Sequence, residues 1–302
     1  MKVAALQMVS SAVLQDNLQA ADRLLAQAAA QGAELAVLPE YFCLMGQNDA
    51  DKLAIQEAFG SFGPSGPSGN GGPIQQFLAE AARRYQLWIV GGTLPLRNPG
   101  NLGNSGSSGG SSSGSGSGGG GPGKVFNSSL AYNPQGACVA RYDKMHLFCY
   151  DNGQEHYDEA RVLERGQTPT QFALPSRDGH CWQIGLSVCY DLRFAELYRG
   201  YAASGADLLL VPAAFTHTTG QAHWQVLLQA RAIENLAFVV AAAQGGIHPN
   251  GRQTWGQSML IDPWGQVLAE LAQGPGVVLA DLDAAAMQRW RQQLPALQHR
   301  VL

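Results

Sequence analysis

Charge is scarce in this 302-residue chain. Asp, Glu, Lys and Arg make up 14% of it, only four residues are lysine, and 19 basic against 23 acidic side chains leave a net of -4. No block of like charge stands out, so the electrostatic footprint of a nucleic-acid or anionic-membrane partner is missing, and small, near-neutral ligands fit better. Long hydrophobic runs are also lacking: none approaches the ~18 residues of a membrane span. The opening MKVAALQMVSSAV sets one lysine before an apolar stretch, as a signal peptide does, but Gln7 interrupts it and VAALQM reads as a first buried strand. The five cysteines (Cys43, Cys138, Cys149, Cys181 and Cys189) are odd in number and form no C-x-x-C pair. That argues against a disulfide framework or a zinc site and for a reducing, cytoplasmic setting.

What is present is apolar: 45% of the residues, ample for a sizeable core. Short apolar runs alternate with amphipathic segments from end to end. The pattern predicts strands at Val3–Gln7, Leu35–Leu38, Leu87–Gly91, Ser128–Tyr132, Ile184–Val188, Leu208–Val211, Phe238–Ala243 and Met259–Ile261. It predicts helices at Asn17–Ala30, Ile74–Tyr85, Phe194–Ala203 and Ala222–Asn235. Repeated strand–helix alternation implies a layered α/β protein. Residues 98–123 are almost pure Gly, Ser, Asn and Pro, which cannot bury enough apolar surface to offset its ordering entropy. The tract is read as a flexible insertion within one domain spanning residues 1–302, and the milder Gly60–Pro73 stretch as a loop leading into a helix.

Three segments carry chemistry. In LAVLPEYF a buried strand delivers Glu40 to its C-terminal edge, where ligands gather in α/β sheets, although a lone loop glutamate is as readily a solvated carboxylate. In QIGLSVCYDLRFAELY a strand runs into Cys189 and a helix comes next. That elbow would expose the sulfur, let the helix N-terminus stabilise a thiolate, and offer the Tyr190 N–H to an oxyanion; a free cysteine is otherwise inert packing. In ARYDKMHLF a strand carries Lys144 between Tyr142 and His146, which would share its face; alone it reads equally as an edge lysine. Together the three supply a nucleophile, a base that returns its proton to a leaving amine, and a cation for a tetrahedral oxyanion. Amide hydrolysis needs those three parts.

These segments, in this order and local frame, resemble the Glu–Lys–Cys signature of the nitrilase, or carbon–nitrogen hydrolase, superfamily, and the resemblance covers nearly the whole chain outside the Gly/Ser tract. It implies a four-layer αββα sandwich, a homodimer packed αββα–αββα, and neither metal nor organic cofactor. It also implies a second glutamate in EARVLERG, which is Glu159, with Glu155 as the neighbouring competitor. The C-terminal stretches HWQVLLQARAIENLAFVVAAAQ, GQSMLIDPWGQVLAE and LPALQHR are similar to the deaminated glutathione amidase branch. That similarity implies release of 2-oxoglutarate and cysteinylglycine through a cysteine thioester, with an ω-amidase acting on 2-oxoglutaramate as the alternative. A thiol acyltransferase, a true nitrilase and a non-catalytic binding protein on the same fold stand further off.

An acidic substrate needs a cationic or hydroxyl-rich pocket. Arg193 is a candidate, set against a role bracing the elbow through Asp191 or Glu196. Phe215, Thr216, His217 and Thr219 come after a strand end and are candidates for the pocket wall. His223 and Trp224 read as core, and Tyr41 and Phe42 as either wall or core.

Overall fold

The computed structural model describes residues 1–60, 62–63, 66–67, 71–99 and 123–301. The expected insertion therefore lies almost wholly outside the described residues. Of the Gly60–Pro73 stretch, the described part holds Phe62–Gly63 paired antiparallel with Gly66–Pro67.

The alternation Val3, Ala5 against Ala4, Leu6 places each set on an opposite face of the first strand, Lys2–Gln7, and both faces are buried. This strand is next to the edge of a sheet ordered Leu163–Glu164, Val125–Tyr132, Trp88–Val90, Leu35–Val37, Lys2–Gln7 and Gly276–Asp281. The three strands Lys2–Gln7, Leu35–Val37 and Trp88–Val90 run parallel, and the outer ones antiparallel to their neighbours except for Leu163–Glu164. A second sheet repeats the arrangement: Cys181–Leu186, Leu208–Leu210 and Phe238–Ala241 are parallel, flanked by antiparallel Gln171–Pro175, Ser258–Ile261 and Val267–Leu271.

Ala4, Leu6, Ala36 and Leu38 pack under the helices Leu14–Ala30 and Pro73–Tyr85 through Leu25, Ala28, Ile74 and Leu78. Val3, Ala5, Leu35, Val37 and Val90 face the other way and share one core with Ile184, Leu208 and Leu260 of the second sheet. The helices Ala195–Ala203 and His217–Asn235 cover that sheet's far side with Tyr198, Trp224 and Leu228. Helix, sheet, sheet, helix is the four-layer αββα sandwich that the family resemblance implies. Among the described residues no helix is long and apolar enough to cross a membrane.

Two local differences from the sequence pattern bear on function. The strand before Cys189 ends at Leu186, and the chain then makes a single 3-10 turn, Cys189–Arg193, with the α-helix starting only at Ala195. The helix predicted from Ala222 starts at His217, because the Thr216 side chain caps it by accepting from the Thr219 N–H at 3.4 Å.

Candidate active site

Glu40 comes after the strand Leu35–Val37 at its C-terminal end, in a tight turn that leaves Tyr41 at φ 56°. The turn is held from several sides. The Tyr41 N–H donates to Thr93 Oγ1 at 2.9 Å, and Gln244 Nε2 donates to the Glu40 carbonyl at 3.1 Å. Gly92 runs so close beneath it that a Cβ there would lie 2.0 Å from the Pro39 carbonyl oxygen. The Glu40 carboxylate is 1% exposed: Oε1 accepts from Lys144 Nζ and Asn127 Nδ2, each at 2.9 Å, and Oε2 accepts from the Ala214 N–H at 3.0 Å. Ala214 lies beyond the strand Leu208–Leu210, so this last bond ties the first sheet to the second.

Lys144 sits one residue beyond the strand Cys138–Asp143, its N–H bonded to the Asn127 carbonyl at 3.0 Å. Its ammonium lies between two carboxylates, 2.9 Å from Glu40 Oε1 and 3.0 and 2.8 Å from Glu159 Oε1 and Oε2. Glu159 opens the 3-10 turn Glu159–Arg161 and also accepts from Tyr41 Oη and the Phe148 N–H, both at 2.8 Å. Glu155, the alternative, is half-buried and instead accepts from Thr218 Oγ1. Burial opposes the charge on Lys144, but Glu159 and Glu40 outweigh it and hold the ammonium well above the ordinary lysine range. Burial likewise pushes Glu159 up, yet Lys144 more than offsets it and the carboxyl stays below its usual value.

Cys189 is buried at φ 51°, with its N–H donating to the Pro212 carbonyl at 2.9 Å. The Tyr190 N–H, next in the turn, has no acceptor among the described residues. Burial and then the Glu40 carboxylate push the Cys189 thiol well above its ordinary range, with Lys144 opposing. The helix N-terminus expected beside the sulfur is replaced by a five-residue turn, which carries little dipole, and burial favours the protonated thiol.

Asp191, two residues on, is fully buried and accepts four times: from Tyr142 Oη at 2.7 Å, the Val188 N–H at 2.8 Å, the His146 N–H at 3.0 Å and His146 Nδ1 at 2.7 Å. It thus pins the Cys189 turn to the segment that carries Lys144. Tyr142 and His146 meet at Asp191, while Lys144 turns to the glutamates.

Glu40, Glu159 and Cys189 line one cavity, with Tyr41, Phe148, Tyr190, Arg193, Ala214, Phe215, Thr216, Thr219 and Arg252 as the other walls. Lys144 is not one of these lining residues; its ammonium is bonded to both carboxylates. Of the pocket residues read from sequence, Arg193, Phe215, Thr216 and Thr219 are in place. His217 is not: its ring packs edge-on to Trp255 at 5.3 Å, because the first helical turn rotates it away from Thr216 and Thr219. Arg193 does not brace the elbow, since Asp191 is already saturated; Nη1 and Nη2 lie 3.3 Å from Nδ1 of His223. His223 is accordingly exposed, not core, whereas Trp224 is buried. Tyr41 is wall and Phe42 is core. Sequence reasoning missed Arg252, Phe148, Asn127 and the true partners of Asp191.

A buried thiol, a carboxylate beside it that can take its proton and a cation bonded to that carboxylate form an arrangement for acyl transfer through sulfur. Residues 2–292 match the carbon-nitrogen hydrolase family. The chain belongs to that family. It is 40% identical over 300 residues to the deaminated glutathione amidase of Synechocystis sp., covering 99% of this chain and 97% of that one. To the omega-amidase NIT2 of Danio rerio it is 31% identical over 301 residues, covering 99% and 94%. Among solved structures it is similar to an amidase from Nesterenkonia sp. AN1 that carries the acetamide moiety of fluoroacetamide covalently added at the active site cysteine. The TM-score there is 0.71 at 27% identity, covering 100% of this chain and 94% of that one. As a family member the chain is a hydrolase of carbon–nitrogen bonds other than peptide bonds.

Proposed function

We propose that the chain hydrolyses the amide of deaminated glutathione, releasing 2-oxoglutarate and cysteinylglycine, with Cys189 as nucleophile. The observation that carries the mechanism is the buried chain of contacts Glu40–Lys144–Glu159 beside the Cys189 thiol. Glu40 takes the thiol proton, and the sulfur attacks the amide carbonyl carbon. The Tyr190 N–H and the Lys144 ammonium receive the oxyanion. Glu40 returns the proton to the departing nitrogen, the carbon–nitrogen bond breaks, and a thioester remains on Cys189. Glu40 then deprotonates a water whose oxygen attacks the thioester, the acid leaves and the sulfur regains its proton. Glu159 holds Lys144 and orients that water; Asn127 and the Ala214 N–H keep Glu40 aimed.

The substrate choice rests on the greater identity to the deaminated glutathione amidase than to the omega-amidase. It is supported by Arg193 in the cavity wall, which takes a carboxylate at the acyl end, with Phe215, Thr216 and Thr219 beside it. Residues 1–302 form one catalytic domain in this reading, supported by the core common to both sheets. A cytoplasmic location is supported by five free cysteines. A homodimer is supported by Val226 and Ile233, which stand exposed on the outer helix His217–Asn235.

Parallel kinetics on deaminated glutathione, 2-oxoglutaramate and a simple nitrile test the proposal. The expected order of kcat/KM puts deaminated glutathione first and the nitrile last, and an acyl adduct on Cys189 should be trapped by rapid quench and mass spectrometry. Preference for 2-oxoglutaramate would give the omega-amidase reading instead, and full turnover by Cys189→Ala would end both.

A further inference from the structure

Arg252 stands on the loop between the paired strands Gly245–Ile247 and Gln253–Trp255. That loop is locked in place: Asn250 Nδ2 donates to the Met45 and Gly46 carbonyls, and the His248 N–H donates to the Arg252 carbonyl at 2.8 Å. Arg252 lines the same cavity as Cys189 and Glu40, yet its guanidinium is poorly satisfied. Its Nε is buried with no hydrogen-bond partner, and Nη1 meets only the Met45 sulfur, at 3.8 Å. No carboxylate lies within 4 Å of it among the described residues. A buried guanidinium nitrogen without an acceptor costs stability unless a ligand completes it.

Its position relative to Arg193 is informative. Arg252 lies over the Tyr157 ring at 5.1 Å, Tyr157 packs on Phe148 at 5.6 Å, Phe148 meets Tyr190 edge-on at 5.2 Å, and Arg193 lies 5.9 Å from the Tyr190 ring. The two guanidinium groups are thus joined through a run of three aromatic rings, Tyr157, Phe148 and Tyr190. Lys52, the other cation near Tyr41, is already paired with Asp49 at 2.8 Å.

We infer that Arg252 is the receptor for a free carboxylate on the leaving-amine half of the substrate, so that it selects peptide-like amides over primary amides with the same acyl group. The inference rests on the amidase reading above and adds to it the residue that decides substrate class. A guanidinium binds such a carboxylate by a two-pronged, charge-assisted pair that ammonia as a leaving group cannot provide.

The test compares deaminated glutathione with 2-oxoglutaramate in the unmodified enzyme and in Arg252→Gln, with a third substrate in which the glycine carboxylate of deaminated glutathione is capped as a methylamide. The ratio of kcat/KM for deaminated glutathione over 2-oxoglutaramate should fall roughly 10- to 100-fold in Arg252→Gln, the range for a lost charge-assisted hydrogen bond. The unmodified enzyme should lose a similar factor on the capped substrate, and Arg252→Gln should lose little more on it. Because the readout is a ratio within one protein sample, partial misfolding does not move it. A ratio that stays constant, whether both rates fall together or neither does, overturns the inference, as does a variant that still discriminates against the cap. If the unmodified enzyme turns over neither substrate, the amidase reading itself fails and takes this inference with it.

Discussion

Asp191 and Tyr142 are hydrogen-bonded at 2.7 Å across 49 positions of sequence, and the same carboxylate holds the Val188 N–H one residue before the nucleophile. One buried group thus sets the spacing between the turn of Cys189 and the strand end that carries Lys144. Asp191→Ala should destabilise the protein by about 2–4 kcal/mol, because Tyr142 Oη and the Val188 N–H are left buried without an acceptor. It should also lower kcat with little change in KM, since Asp191 does not line the cavity. Denaturant unfolding and steady-state kinetics measure the two effects, and a KM effect as large as the kcat effect would contradict the positioning role.

The state of the Cys189 thiol gives a second prediction. Burial and the Glu40 carboxylate hold it protonated, and Lys144 pulls the other way. Replacing Glu40 with Gln removes one raising influence and leaves the cation, so the thiol should ionise at lower pH than in the unmodified enzyme. Thiolate absorbance or iodoacetamide labelling across pH reports the midpoint. Hydrolysis should nonetheless fall by at least about 100-fold, because the base is gone. A midpoint that rises would show that Glu40 does not oppose the thiolate.

Lys144 neutralises two carboxylates that are otherwise buried together. Lys144→Met should cost about 3–5 kcal/mol of stability and abolish turnover. Adding Glu159→Gln should recover part of that loss, by at least about 1 kcal/mol, because only one buried carboxylate then remains. A double-mutant cycle by chemical denaturation measures the coupling, and strict additivity would mean that the ion pairs contribute nothing to the fold.

His248 supplies the pH dependence. Its ring is buried, with Nδ1 at 2.8 Å from the Ser10 carbonyl and Nε2 at 2.8 Å from Thr254 Oγ1, an arrangement that suits a neutral ring donating from Nδ1 and accepting at Nε2. Burial, with Arg252 adding to it, holds the ring below the usual histidine value. The unfolded chain therefore takes up this proton first as pH falls. The stabilising contribution is complete above the unfolded value of about 6.5 and is lost below it until the folded ring titrates. Melting temperature should drop more steeply between pH 7 and 5 in the unmodified protein than in His248→Asn, by an amount bounded at about 1.4 kcal/mol per pH unit. Parallel curves would contradict this.

Much of the layered fold is legible in the sequence because strands buried on both faces leave short continuous apolar runs, as in Val3–Leu6. Glu40 and Cys189 are legible for the same reason: each comes after an apolar run whose C-terminal end faces the site. Arg252 left no such trace. It belongs to a loop between two three-residue strands, and the residues it meets, Met45 and Tyr157, are far away in the chain. Asp191 misled for the converse reason, since proximity in sequence suggested Arg193 while its partners lie 45 and 49 residues away. The rotation that removes His217 from the cavity comes from the cap at Thr216, which turned an expected loop into a first helical turn.

The bond from the Ala214 N–H to Glu40 also has a consequence for how the chain acquires reactivity. Base and nucleophile come from different sheets, so neither half of the sandwich holds a working pair. A newly made chain whose layers have not yet met carries an ordinary solvated glutamate and an unassisted sulfur. On the proposed mechanism, hydrolysis therefore requires both layers to be in place.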